Sequence, residues 1–390
     1  MSAPRDIVLQ WQPSSYYGWG VYGLNLALHW VADPALRPLC SAPADPARLA
    51  LDPLRRLRLG PFLAASSAFQ DSLAPHAGTR VPVRAAVLSA LAADFTPLPS
   101  AHGVDLAGSP DLAAVFFESA EIPPDAVERA RRYRTVVAGS RWNRAVLDAH
   151  GIGGPTVLQG VDDTLFHPAP VNRPFADRFL VFSGGKAEYR KGQDLVMLAF
   201  RAFASRHPEA LLVTAWHSPW PETAASLGAN PGLVPPGFDG HGRMDVRRWA
   251  AENGVDPDRI IDLGQVPNAE MPPLLREMDA AVFPNRCEGG TNLVAMECMA
   301  CGVPTILADN TGQRDLVEPG ACLPLTRQTS VPGRPGWGES EVEEIVEALE
   351  ALHRDRAAAR VMGARGAAVL ARLSWRAQAA ALRDALLPLL

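Results

Sequence analysis

The 390-residue sequence predicts an α/β protein: two doubly wound parallel sheets, in two domains facing each other across a cleft. Three observations point there. Strand-like apolar runs alternate with amphipathic helical segments along the chain, the pattern of parallel strands joined by crossover helices. The length exceeds that of one ordinary domain. The stretch FHPAPVNRPFADRF, residues 166–179, with three prolines and mixed charges, separates one α/β set from the next. The expected domains are therefore 1–174 and 175–373. An amphipathic C-terminal helix, 374–390, could pack back onto the first.

The elements follow from local pattern. In the first half, aliphatic runs predict strands at 6–11, 81–88 (VPVRAAVL), 112–117 (LAAVFF), 135–138 (TVVA) and 156–159. Helices are expected at LNLALHWV, 125–133 and 141–150. In the second half, strands are expected at 179–183 (FLVFS), 210–215 (ALLVTA), 259–263, 279–283 (DAAVF) and 304–307. The intervening amphipathic segments are 193–206, 243–253, 270–277, 292–301, 340–353 and 355–372. Gly302, followed by Val303-Pro304, ends the helix at 292–301. TSVPGRPGWG reads as a surface loop.

Apolar residues make up 47% of the chain and charged ones 20%, which suits globular cores. The net charge of −5 argues against nucleic acid or an anionic surface as a wholesale partner. Five cysteines, an odd number in apolar surroundings, do not describe a disulfide framework. Cys298-Met-Ala-Cys301 spells C-x-x-C but lies inside a helical segment, with no second pair to complete a zinc set; small buried thiols are the expectation. The N-terminus lacks a signal-peptide pattern, and no run of ~18 apolar residues occurs. A cytoplasmic protein is expected.

GWGVYG, Gly18 to Gly23, fits G-x-G-x-x-G, the dinucleotide fingerprint. Its context does not. The first glycine should come straight off the strand, and an acid should follow ~20 residues on at a strand end. Here Gln12 to Tyr17 intervene, and Asp33 lies in a turn-like ADPA. What remains is a glycine-rich loop opening onto a helix, with a flexible turn of stacked aromatics as the plainer alternative.

The second half carries more chemistry. After FLVFS come two glycines, then Lys186 and Lys191, then a helix. Two lysines in a loop at a strand's carboxyl end can converge on one anion, and a diphosphate suits point cations. Solvated loop lysines are the alternative. In PNRCEGGTNLVAMECMACGVP, Gly289 and Gly290 permit close backbone approach, Thr291 or Asn292 can cap the helix, and the helix N-terminus favours an anion. Glu297 shares an apolar helix face with Leu293, Val294, Ala300 and Cys301, so it needs partners. A ribose diol or a salt bridge to Arg or Lys would supply them. Asp162-Asp163 and the nine histidines show no ligand spacing, so no metal is expected.

In these stretches the sequence resembles the glycosyltransferases of the GT-B fold, family 4. SGGKAEYRKGQDLVMLAF resembles the family's phosphate loop, with Lys186 in the usual arginine position. LGQVPNAEMPPLLREMDAAVFPNRCEGGTNLVAMECMACGVPTILADNTGQRDLV resembles the segment around its paired glutamates. VVAGSRWNRAVLDAHGIGGPTVLQGVDDTLFHP resembles the end of its N-terminal domain, and YYGWGVYGLNLALHW its first glycine-rich loop. The resemblance implies two Rossmann-like domains and a retaining transfer from a nucleoside-diphosphate sugar, without a metal or other cofactor. The C-terminal domain would hold the donor. Lys186 and Lys191 would face the diphosphate, Glu297 the ribose, and Gly289, Gly290, Thr291, Asn292 and Leu293 the donor sugar and phosphates. The base would meet backbone around Val266. Glu288 would act at the donor sugar, and Lys191 would serve catalysis as well as diphosphate binding. The family's glutamates stand one position closer together than Glu288 and Glu297, so either the loop is longer or Gly289 holds the first glutamate's place.

The N-terminal domain would hold the acceptor, a glycan, lipid-linked molecule, protein or small molecule. Glu118 and Glu121, past a strand end, could contact its hydroxyl; cap or ion-pair roles are the alternative. Gly18, Gly20, His102, Ser140 and Arg141 are further candidates for the cleft. Basic runs RRLR (55–58) and RARRYR (129–134) suit either peripheral contact at an anionic inner membrane face or solvated helix faces. An epimerase, a phosphorylase and a non-catalytic sugar-nucleotide binder remain alternatives on the same fold.

Overall fold

The computed structural model describes residues 4–390. The chain divides into two compact units, one of residues 1–160 with 373–390 and one of residues 161–372.

The first unit runs β1 (Arg5–Gln10), α1 (Gly18–Trp30), β2 (Leu36–Cys40), α2 (Pro53–Leu73), β3 (Arg80–Pro82), β4 (Ala86–Leu91), β5 (Asp105–Ala107), β6 (Asp111–Val115), α3 (Pro124–Ala130), β7 (Val136–Ala138) and α4 (Arg141–Ala149). Its main sheet is wholly parallel, in the order β2-β1-β4-β6-β7. Counting only those five strands, the order is 2-1-3-4-5, a doubly wound sheet whose direction of winding reverses between β1 and β4. The C-terminal helix Trp375–Leu386 belongs to this unit: Trp30 Nε1 donates to Ala379 O at 3.0 Å, and Trp375 packs beside Tyr22.

Several elements differ from expectation. β2, which was not among the expected strands, contains Pro38; as an edge strand it tolerates a missing ladder donor. Helix α2 is long despite Gly60-Pro61. Its start is fixed by Asp52, whose carboxylate accepts from Leu54 N and Arg55 N, with Pro53 at the first turn. The expected strand 81–88 splits into β3 and β4. The expected strand 156–159 is only a bridge from Thr156 to Ala138.

The second unit runs β8 (Phe179–Gly184), α5 (Gln193–Ala204), β9 (Ala210–Ala215), α6 (Val246–Glu252), β10 (Ile260–Asp262), α7 (Met271–Leu275), β11 (Ala280–Phe283), α8 (Leu293–Ala300), β12 (Thr305–Ala308), β13 (Leu323–Leu325), β14 (Gln328–Ser330), β15 (Gly338–Ser340), α9 (Val342–Arg354) and α10 (Arg356–Leu370). Its parallel sheet has the order β10-β9-β8-β11-β12-β13, the 3-2-1-4-5-6 arrangement of dinucleotide-binding folds. Phe179, Val181, Leu212, Val282 and Ile306 from the strands meet Phe200, Phe203, Ile345 and Leu349 from the helices in one core.

The proline-rich stretch expected as the linker lies within this unit. Glu277 accepts the backbone N–H groups of Asn172 and Arg173, and Arg276 donates to the carbonyls of Leu165 and His167. Those bonds move the dividing point back to Gly160.

Candidate functional site

In a doubly wound sheet, the crevice for a ligand opens at the carboxyl ends of the two strands where winding reverses. In the second unit those are β8 and β11, and the segments that follow them carry Lys186–Lys191 and Asn285–Asn292. The two segments are pinned together. Gly192, left-handed at φ +73°, lies so close to Pro284 that a Cβ would stand 2.4 Å from its carbonyl oxygen. Only glycine meets both demands. Arg286 N also donates to Arg190 O at 2.8 Å.

Three cations and two carboxylates meet there. Lys191 Nζ lies 2.5 Å from Glu288 Oε1 and Arg190 Nη1 3.2 Å from Glu288 Oε2. Arg190 also pairs with Glu188, and Lys186 reaches Glu188 at 2.6 Å. The two lysines thus pair with different carboxylates, Lys186 with Glu188 and Lys191 with Glu288, and Arg190 joins the two pairs in a five-residue network. Glu288 is buried and also accepts from the Asn285 amide; its backbone N–H donates to Thr311 Oγ1 at 2.8 Å. Burial alone would raise its pKa, but Lys191 and Arg190 outweigh it and hold the carboxyl below its ordinary value.

Beneath this network lies a fully buried guanidinium. Arg286 grips Asp194 with two bonds of 2.8 and 2.6 Å, bonds Glu339 at 2.6 Å, and lies over the Tyr189 ring at 3.6 Å. Both members of the Arg286–Asp194 pair are 0% exposed. The pair fixes the turn Tyr189–Lys191 against the loop after β11. Sequence reading missed Arg190, Asn285, Arg286 and Asp194. A lone arginine in PNRCEGG and an acid opening an apolar helix were the available signals.

Helix α8 begins as expected. Asn292 is its cap, left-handed at φ 62°, accepting from Ala295 N and donating to Gln313 Oε1 at 2.7 Å. Thr291 instead donates to Met296 Sδ. Gly289 and Gly290 are buried, and a Cβ on Gly312 would stand 2.2 Å from Gly290 O. Leu293 and Val294 open the helix half-exposed.

Among the described residues no cation pairs with Glu297. Its partner is the Asn268 amide, 2.5 Å from Oε1, and burial pushes its pKa up to about 8. The salt-bridge alternative therefore fails. A buried carboxyl with spare hydrogen-bonding capacity remains, on the loop side that also carries Val266, two residues before Asn268. The C-x-x-C pair forms no disulfide: Cys298 and Cys301 are buried free thiols, pushed up by burial.

In the first unit, the glycines sit differently from expectation. Gly18 and Gly20 are in the first turn of α1, not in a loop. A Cβ on Gly20 would stand 2.4 Å from Ser14 Cβ, and one on Gly23 2.4 Å from Trp11 Nε1. The glycines let α1 press on the segment after β1. Trp11 stacks on Tyr22 at 5.8 Å, and Trp19 meets Phe116 edge-on at 4.6 Å. Ser140 is the buried cap of α4, accepting from Asn143 N at 3.0 Å, and Arg141 follows it exposed. Glu118 is half-buried past β6; Glu121 is exposed, in a turn closed by Ser119. His102 is exposed and left-handed at φ 56° in a turn after β4.

Two doubly wound parallel units are the architecture expected of the GT-B fold. Residues 177–355 match the model of the family described as glycosyl transferases group 1. The lipopolysaccharide core biosynthesis mannosyltransferase LpsB of Rhizobium meliloti is 28% identical over 199 residues, 49% of this chain and 50% of that protein. The GDP-mannose-dependent alpha-(1-6)-phosphatidylinositol monomannoside mannosyltransferase of Mycolicibacterium smegmatis is 26% identical over 265 residues, 63% of this chain and 60% of that one. The chain therefore spans between half and two thirds of the curated relatives it matches. Among solved structures, Anabaena Alr3699/HepE in complex with UDP superposes with a TM-score of 0.61 at 15% identity, over 98% of this chain and 99% of that one. No described helix is long and apolar enough to cross a membrane.

Proposed function

We infer that the chain transfers a hexosyl group from a nucleoside-diphosphate sugar to an acceptor hydroxyl, retaining anomeric configuration and using no metal in that step. The observation that carries this reading is the network of Lys186, Arg190 and Lys191 at the β8/β11 switch point, restrained by Glu188 and Glu288. Preorganised cations there stabilise a departing diphosphate as its charge develops. Glu288, held below its ordinary pKa by Lys191 and Arg190, acts at the donor sugar. Glu297 binds the ribose hydroxyls, which supply the polar partners that its apolar face lacks. Glu118 and Glu121 serve the acceptor, a glycan or lipid-linked hydroxyl, in the first unit. The protein works in the cytoplasm, where α2 presents Leu54 and Leu57 exposed beside Arg55 and Arg56 to an anionic membrane face.

Thermal unfolding of the full chain against GDP, UDP, ADP, dTDP, their sugars and NAD tests this. GDP-mannose comes first because both curated relatives are mannosyltransferases. A ligand at 100 times its Kd stabilises by ~2.7 kcal/mol, a visible shift in midpoint. One nucleoside-diphosphate series should shift it. A shift with NAD alone, or with nothing, defeats the reading.

A further inference from the structure

Away from the nucleotide segments, at the amino-terminal end of β9, two histidines and two glutamates converge. Sequence spacing hides the set: His207-Pro208-Glu209 is local, but His353 lies in the last turn of α9. Nitrogens of His207 and His353 and a carboxylate oxygen of Glu209 all lie within 4.8 Å of one another. His353 Nε2 is 2.7 Å from Glu209 Oε1, and His207 Nδ1 is 3.6 Å from the same oxygen. The imidazoles lie 4.1 Å apart.

The outer partners fit a metal centre. His207 Nε2 is 2.9 Å from Glu350 Oε2, and Glu350 is anchored by Arg206 at 3.0 Å. With Nε2 bonded to Glu350, His207 presents Nδ1 toward Glu209 and His353 as the ligand atom. That is the carboxylate–histidine–metal arrangement, in which the second carboxylate fixes the tautomer of the ligand. Phe203 packs on His207 at 4.4 Å and Phe179 edge-on to His353 at 5.0 Å, so an apolar wall backs the site. The three inner side chains keep 18%, 32% and 21% exposure, enough for an ion to enter and hold water.

We propose that His207, Glu209 and His353 bind one divalent transition-metal ion of the Zn2+ class, with Glu350 as the outer-sphere partner of His207 and solvent in the fourth position. Two imidazoles and one carboxylate are a donor set that suits Zn2+. Bond lengths of about 2.0–2.2 Å around a tetrahedral ion place ligand atoms roughly 3.4 Å apart. The set must close by little more than about 1 Å at its widest. His353 takes the tautomer with Nε2 unprotonated, and the ion replaces its hydrogen bond to Glu209. Bound metal clips α9 to the connection between α5 and β9, away from the loops that carry Lys191 and Glu288.

The test uses tag-free, chelator-treated full-length protein, titrated with Zn2+ against a chromophoric chelator and with Co2+ by visible absorption. The wild type should bind one equivalent, and Co2+ should give the intense visible bands of a low-coordinate centre. His353→Ala and Glu209→Gln should each weaken binding at least ~100-fold, and Glu350→Gln about 10–100-fold. His241→Ala, on an exposed loop, should leave it unchanged. Circular dichroism of the metal-free variants identifies any that fail to fold, in which case the Co2+ spectrum and stoichiometry of the wild type decide. Less than one equivalent on the wild type, or unaltered binding in folded His353→Ala and Glu209→Gln, overturns the proposal. Neither result depends on whether the chain transfers sugars.

Discussion

The two units wind their sheets in related ways, yet their switch points have opposite contents. After β1, the segment Trp11–Tyr17 is packed under α1, with Gly20 and Gly23 making room for Ser14 and Trp11. After β8, the corresponding segment holds Lys186, Arg190 and Lys191 in ion pairs with Glu188 and Glu288. Glycine marks both. In one it reports protein packed on protein; in the other, Gly192 joins two charged loops. A glycine spelling says that something comes close, and only the neighbouring side chains say what.

The largest test of that contrast is Arg286→Met. It leaves the buried Asp194 carboxyl without its cation, with only the Asn230 amide still donating to it, and breaking comparable buried pairs costs about 3–5 kcal/mol. Denaturant unfolding should show a loss of that size, part of it recovered by adding Asp194→Asn. A loss below ~1 kcal/mol would mean that the pair does not anchor the charged loops.

Glu297 comes next. Its carboxyl is raised from 4.5 to about 8 by burial. Below the unfolded value it is protonated in both states and carries no penalty. As pH rises toward about 8 the unfolded chain ionises while the folded one stays neutral, so stability falls. The decline totals at most on the order of 5 kcal/mol. Glu297→Gln should remove it, flattening stability between pH 5 and 9. Parallel curves for variant and wild type would show that Glu297 is not neutral in the free protein.

Gly23→Ala probes the first unit. Its Cβ would stand 2.4 Å from Trp11 Nε1, an overpacking that costs roughly 1–3 kcal/mol. Nucleotide binding should be untouched. If nucleotide affinity fell with it, the glycine spelling would belong to the ligand after all.

Much of the fold was legible because strand and helix periodicity persist through most of the chain. The losses have local causes. The edge strand β2, interrupted by Pro38, was not expected, and of α2, which runs through Gly60-Pro61, only the basic run 55–58 was read as a possible helix face. The domain boundary was misplaced because proline richness marks turns, whereas the bonds from Glu277 and Arg276 that tie 165–173 to the second unit come from over a hundred residues away. At the site, Lys186, Lys191 and Glu297 could be singled out from glycine context and helix phase, and Glu288 only from the family resemblance. Arg190, Arg286 and Asp194 could not, because their roles depend on pairings across the sheet.

The finest distinction lies between Lys191 and Glu118, one from each switch-point neighbourhood. Lys191→Ala removes one of the cations beside Glu288 but leaves Arg190 and the Asn285 amide to hold that carboxylate. Folding stability should therefore change modestly at neutral pH. Glu288 loses an opposing charge, so its pKa should rise and acid unfolding should begin at higher pH. Nucleoside-diphosphate affinity should drop about tenfold, or ~1.4 kcal/mol. Glu118→Gln should leave that affinity unchanged and act only when acceptor is present. Equal losses of nucleotide affinity in both variants would erase the division of labour between the units. A loss confined to Lys191→Ala places the diphosphate at the second unit's loops, whatever the acceptor proves to be.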